Sequence, residues 1–224
     1  MMVHAPNRPI WVPTVVSGAL NTLGVSDVII VGGAGAVSAG VESVLEGTYN
    51  VDRIAGADRY ETAARVARRI AEQTSIFWPT VFIARGDEFP DALAASPLAH
   101  SMGRPILLVR PDALPGATDD VIDDLGIRWA YIIGGESAVS ASVKSTIDGM
   151  LLANDGAVSE RWAGTTRYET ARAVAEKGGE EGFASWSYVG VATGENFPDA
   201  LAGGVAAGSS YGVIALTGST ALPL

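Results

Sequence analysis

The chain has 224 residues, 48% hydrophobic and 18% charged, with 15 Lys and Arg against 25 Asp and Glu for a net charge of −10. That balance suits a folded globular protein rather than a disordered one, and its acidity argues against nucleic-acid binding, which needs a dense basic face. Cysteine is absent, which removes disulfides and thiolate metal or redox sites, and no apolar run approaches the ~20 residues of a membrane span.

The first residues, MMVHAPNRPIW, lack the charged and apolar regions of a secretory signal. Residues 8–13 (RPIWVP) resemble residues 104–109 (RPILLV), and residues 28–41 (VIIVGGAGAVSAGV) match residues 130–143 (AYIIGGESAVSASV). Asp58 with Glu61 three positions on reads as a capping box, and Gly56 as a tight turn before it. A helix follows over residues 60–72. Next come a strand over 79–84, a helix over 90–102 that Pro90 and Asp91 suit to open, and a strand over 105–109. A helix over 115–125, a strand over 129–134 and a helix over about 138–149 complete the pattern. Continuously apolar strands, each followed by a helix, predict parallel pairing buried on both faces. The expected fold is α/β, built of three-layer α/β/α units with right-handed crossovers.

Most of this pattern occurs twice. Residues 53–67 (RIAGADRYETAARVA) return as residues 161–175 (RWAGTTRYETARAVA), an offset of 108. At the same offset residues 82–99 match 190–207, and residues 109–115 match 217–223. The chain therefore divides into residues 1–50 as the second half of a repeat, 51–153 as a complete repeat, and 157–224 as the first half of a third.

Chemistry is sparse. His4 and His100 are the two histidines and neither is duplicated, so no metal triad or Ser-His-Asp set can be assembled. No catalytic residue, metal or cofactor is expected. The glycine loop at residues 32–35 begins like a dinucleotide fingerprint, but its copy at 134–137 drops a glycine and adds Glu136. The paired Asp91 and Asp199 suit helix starts. Arg59 and Tyr60, with Arg167 and Tyr168, are not needed for capping. Guanidinium groups beside a helix N-terminus are unfavourable unless an anion joins them; the alternative is an ion pair to Asp91 and Asp199.

The ordered set R-x-x-G-x-x-R-Y-E-T-A, F-P-D-A-L-A, P-I-L-L and I-I-G-G-x-x-A-V-S closely resembles the cell-wall-binding repeat 2 family of Gram-positive surface proteins. The resemblance spans essentially the whole chain. It implies a Toprim-like unit, three tandem repeats beside a variable region, an extracellular place on the cell wall, and non-covalent attachment through an anionic secondary wall polymer. It implies no activity for the repeats themselves. The family's motif positions fall on Arg53, Gly56, Arg59, Tyr60, Thr62 and residues 89–94, and again on Arg161, Gly164, Arg167, Tyr168, Thr170 and residues 197–202. The candidate polymer-binding residues are thus Arg53, Arg59, Tyr60, Asp91, Arg161, Arg167, Tyr168 and Asp199. Two other readings stand beside this one: a nucleotide- or sugar-phosphate-using enzyme cradled by residues 32–35, and a structural surface-layer unit. The two half-repeats are nearly complementary, so they could close on each other or exchange between chains as a homo-oligomer.

Overall fold

The computed structural model describes residues 12–73 and 79–220 and divides after Asp58 into two units. Residues 8–11 of the RPIWVP match and 221–223 of the TGSTALP match lie outside the described residues.

The first unit contains α1 (Thr14–Leu23), β1 (Asp27–Val31), α2 (Ala39–Glu46) and β2 (Asn50–Ile54). Helix α1 starts after Pro13 and stops at Gly24, whose φ of 62° closes the helix in the left-handed region where glycine pays no steric cost. Ser38 caps α2 by accepting from the Val41 N–H at 3.3 Å. Strands β1 and β2 run parallel, with Ile30 opposite Arg53.

The second unit runs α3 (Arg59–Gln73), β3 (Thr80–Arg85), α4 (Pro90–Met102), β4 (Ile106–Val109), α5 (Gly116–Asp124), β5 (Trp129–Ile133), α6 (Ala141–Ala153) and β6 (Glu160–Trp162). It continues with α7 (Arg167–Glu180), β7 (Val189–Thr193), α8 (Pro198–Gly208) and β8 (Val213–Thr217). One parallel sheet has the order β4-β3-β5-β6 and a second pairs β7 with β8. Arg161 opens a new repeat in the sequence, yet its strand β6 completes the sheet of the repeat before it. Arg53 on β2 stands in the same relation to β1.

Strand β3 shows why its residues are apolar without a break. Val81 and Ile83 enter one core with Ala64 and Ala67 of α3, Val121 of α5 and Ile147 of α6. Phe82 and Ala84 enter the opposite core with Leu93 of α4, Ala171 of α7 and Ala200 of α8. Both faces of the sheet are covered, giving the expected three layers, and each fully buried Ile or Phe contributes roughly 1.5–3 kcal/mol. Helix α6 begins three residues later than the periodicity predicts. Residues 138 and 139 are spent in a turn, both N–H groups donating to the Gly135 carbonyl, and Ser140 then caps the helix through the Val143 N–H.

The two FPDALA helices, α4 and α8, pack on each other. Phe89 and Phe197 sit with ring centroids 5.7 Å apart. Gly204 lies against Ser96, and a Cβ on Gly208 would come 3.0 Å from that of His100, so a side chain at either glycine would push the helices apart. Pro97 inside α4 cannot donate to the Leu93 carbonyl. The Ser96 hydroxyl donates to that carbonyl instead at 2.8 Å.

Candidate functional site

The repeated Arg-Tyr pairs hold the loops that leave β3 and β7. Arg59 Nη1 donates to the Gly86 carbonyl at 2.7 Å, and Arg167 Nη1 donates to the Gly194 carbonyl at 2.6 Å. Tyr60 is buried and lies so close to Gly86 that a Cβ there would sit 2.6 Å from its Cε1; Tyr168 stands in the same way 2.9 Å from a Cβ on Gly194. The Arg110 guanidinium covers the Tyr60 ring 4.7 Å from its centroid. Each pair therefore fixes the backbone just ahead of an FPDALA helix.

Arg53 and Arg161 do the same for the double-glycine loops. Arg53 Nη1 donates to the Gly32 carbonyl at 2.7 Å, and its Nε and Nη2 fork onto both carboxylate oxygens of Glu42 at 2.9 Å each. That bidentate pair holds the Glu42 carboxyl below its ordinary range and raises the Arg53 guanidinium. Among the described residues no carboxylate forks onto Arg161 in this way, and Glu136 and Asp148 act on it only through their charge. It donates to the Gly134 and Val139 carbonyls at 2.7 Å each, and burial pushes its guanidinium down. Gly134 has φ of 104°, and the space a side chain would need is filled by the Asp91 carboxylate and Ala138.

A cavity of about 150 Å³ lies in the second unit where the start of α4, the exit of β5 and the start of α7 meet. Arg85, Asp91, Ser137, Thr165, Thr166 and Arg167 line it. Thr166 accepts from the Glu169 N–H at 3.2 Å while Glu169 Oε2 accepts from the N–H groups of Thr165 and Thr166 at 2.7 and 3.2 Å, a complete capping box. Helix α4 has no side-chain cap at Phe89. Asp91, in its first turn, is pushed up to about 6 by burial and by the neighbouring Glu88 charge, against the pull of Arg167 and Arg85. Arg85 is forked onto Asp87 at 2.5 and 2.9 Å, which raises its guanidinium.

The structure thus brings Asp91 and Arg167 together across two repeats, with Arg161 behind the loop that forms one wall. Arg59, Tyr60 and Tyr168 lie at the strand exits, Arg53 holds the equivalent loop of the first unit, and Asp199 is exposed at the start of α8. Arg85 is the residue that sequence reasoning missed. Its counterpart in the next repeat is Thr193, so the repeat that highlighted the other positions carried no signal there. Among the described residues no group of three or more His, Asp or Glu could hold a metal ion, and no helix is long and apolar enough to cross a membrane.

Tandem α/β repeats with parallel sheets, joined by a shared strand and clamped by recurring arginines, define a repeat-built scaffold. The chain belongs to the cell wall binding domain 2 (CWB2) family, whose sequence profile matches residues 53–144 and 161–223. It is 32% identical over 199 residues to N-acetylmuramoyl-L-alanine amidase LytC of Bacillus subtilis (strain 168), covering 88% of this chain and 36% of that protein. It is 34% identical over 151 residues to the amidase enhancer of the same organism, covering 67% of this chain and 19% of that one. The chain therefore spans about a third or less of the curated relatives it matches. Among solved structures it is similar to Cwp6 from Clostridium difficile, with a TM-score of 0.80 at 28% identity over 94% of this chain and 32% of that one. Cwp8 from the same organism gives a TM-score of 0.71 at 28% identity, covering 87% of this chain and 32% of the other. Cell-wall binding is the function this family membership carries.

Proposed function

We propose that the chain is a non-catalytic module that anchors a surface protein, outside the cell, to an anionic secondary wall polymer, and that the cavity between the repeats is a polymer contact. The observation that carries this reading is the company Asp91 keeps: two arginines, Arg85 and Arg167, a second acid, Glu88, and the hydroxyl residues Ser137, Thr165 and Thr166 around one cavity. Guanidinium groups suit phosphate or carboxylate oxygens, while hydroxyls and a carboxylate suit the hydroxyls of a sugar chain. The net charge of −10 repels an anionic polymer at long range. Attraction must then come from the local arginines at short range, and it weakens as salt rises. A single small polar cavity binds weakly, and recurrence of the motif along the chain supplies avidity. Exchange of half-repeats between copies is the state of assembly we attach to this reading.

The test is sedimentation with purified walls at rising salt. The Arg85→Glu, Arg167→Glu double variant is expected to stay in the supernatant while keeping the wild-type circular dichroism, with a lower thermal melt because Arg167 also holds the Gly194 carbonyl and Arg85 the Asp87 carboxylate. Undiminished sedimentation of that folded variant would remove the cavity from the binding surface.

A further inference from the structure

Strands β4, β3, β5 and β6 stand side by side in that order, so the chain leaves β3 for β4 on one side and returns to β5 on the other. Loops that diverge in this way leave a crevice at the carboxyl ends of the strands, where open parallel sheets hold their ligands. The cavity of about 150 Å³ occupies that crevice. Arg85, Glu88 and Asp91 line it after β3, Gly135 and Ser137 after β5, and residues 164–167 at the start of α7 form a third wall.

The Asp91 carboxylate in this crevice is half-buried and fills the space beside Gly134 that a side chain there would need. Among the described residues no group donates a hydrogen bond to it, and no ion pair joins it to Arg85 or Arg167, which act on it only through their charge. Arg85 is committed elsewhere, forked onto Asp87 at 2.5 and 2.9 Å and standing 3.5 Å from Glu88. Arg167 spends Nη1 on the Gly194 carbonyl. A carboxylate withdrawn from water and given no donor takes up a proton more readily. Burial, with the Glu88 charge added, pushes Asp91 up to about 6.

The other ionisable groups near the crevice are engaged or exposed. Glu136, in the loop after β5, acts on Arg161 of β6, which donates to the Gly134 and Val139 carbonyls. Glu169 of α7 accepts from the N–H groups of Thr165 and Thr166. Glu195 and Asp199, just before and in the first turn of α8, are exposed. That leaves two guanidiniums, Arg85 and Arg167, against three carboxylates, Asp87, Glu88 and Asp91. With all three ionised the crevice carries an excess negative charge and repels an anion. With Asp91 protonated the charges balance and the site gains an O–H donor.

We infer that the crevice receives an anionic group of the polymer with Asp91 in its neutral form, the Asp91 O–H donating to one oxygen of the anion and Arg167 to another. The proton comes from solvent and stays on Asp91, so each occupied crevice takes up one proton and no covalent bond of the ligand changes. The inference rests on the reading above that this cavity meets the polymer, and it adds the charge state in which it does so. An acid kept neutral by its surroundings so that it can donate is an established use of a buried carboxyl, and a donor to an anionic oxygen makes a strong hydrogen bond. A bound anion raises the proton affinity of Asp91 further. Binding is therefore strongest below about pH 6 and weakens above it, by up to about tenfold per pH unit for one proton.

The test is sedimentation of the full chain with purified walls at constant ionic strength, from about pH 5 to about pH 8. Apparent affinity of the wild type is expected to fall by about tenfold or more over that range. Walls carry titrating groups of their own, so Asp91→Asn is measured on the same walls, with its fold checked by thermal melt. Its amide donates at every pH, and it is expected to lose the fall seen in the wild type. Glu88→Gln removes a charge that holds the proton on Asp91, so the fall is expected to move to lower pH. Mixing wild-type chain and walls, both unbuffered and adjusted beforehand to about pH 7, should raise the pH, and Asp91→Asn should not. Identical pH profiles for two binding chains, wild type and Asp91→Asn, overturn the inference and leave the polymer reading standing. Wild-type affinity that rises with pH also overturns it, because Asp91 would then be accepting from the ligand. Absence of sedimentation at every pH overturns both.

Discussion

Strands β3 and β7 share a place in the repeat and much of their composition, but they live in different surroundings. In the complete repeat β3 has a strand on each side, and its residues Val81 to Ala84 are wholly buried between two helical layers. In the half-repeat β7 keeps the helix α8 and the strand β8, yet Val189 and Val191 stand exposed. The apolar pattern of a strand thus records the neighbours it is built to have, whether or not the described chain supplies them. Where those neighbours are present, the pattern is stability.

That contrast is sharpened most by truncation. Ile83→Ala in the complete repeat is expected to cost about 2–5 kcal/mol in denaturant unfolding, since it empties a core with no solvent route. A cost near zero would mean that β3 is not the centre of the sheet. Next in size is Asp91→Asn at the seam between the two repeats. The folded carboxyl titrates at about 6 and the ordinary value is 3.8. Its proton is therefore held more tightly in the folded state, and stability falls as pH rises from about 3.8 through about 6. Replacement should stabilise the chain at neutral pH by on the order of 2 kcal/mol and flatten that part of the stability–pH curve. An unchanged slope between pH 4 and 6 would show that Asp91 is not the group responsible. Thr166→Ala, which removes the cap of α7 in the half-repeat, should cost about 1 kcal/mol. Smallest of all, Val191→Ala on the exposed edge should change the stability of a dilute chain by less than about 0.5 kcal/mol. A loss approaching that of Ile83→Ala would mean that the edge is already covered.

The layered fold was readable because β3, β4 and β5 are apolar without interruption and each is followed by a helical period. The capping pattern read at Asp58 and Glu61 recurs in the next repeat at Thr166 and Glu169, where the structure closes the box at the start of α7. The start of α6 was misjudged because Ala138 and Val139 fit the helical period; their burial comes from a turn, and Ser140 is the true cap. The roles of Arg59, Tyr60, Arg167 and Tyr168 in holding the strand exits were invisible for a different reason. The two arginines donate to glycine carbonyls and the two tyrosines crowd the same glycines, and a backbone acceptor leaves no mark on the sequence. The cavity was hidden more deeply still. Matching within each copy suggests an Arg59 to Asp91 partnership, whereas the charges that bear on Asp91 are Glu88, Arg85 and Arg167 of the following repeat. Repeat symmetry reveals which positions matter but not which copies meet.

The measurement closest to the central claim is co-sedimentation of the wild-type chain with walls before and after chemical removal of their anionic polymer. The account predicts binding to intact walls that weakens with salt and is lost from stripped walls. Equal binding to both would contradict it and place the contact on the remaining wall.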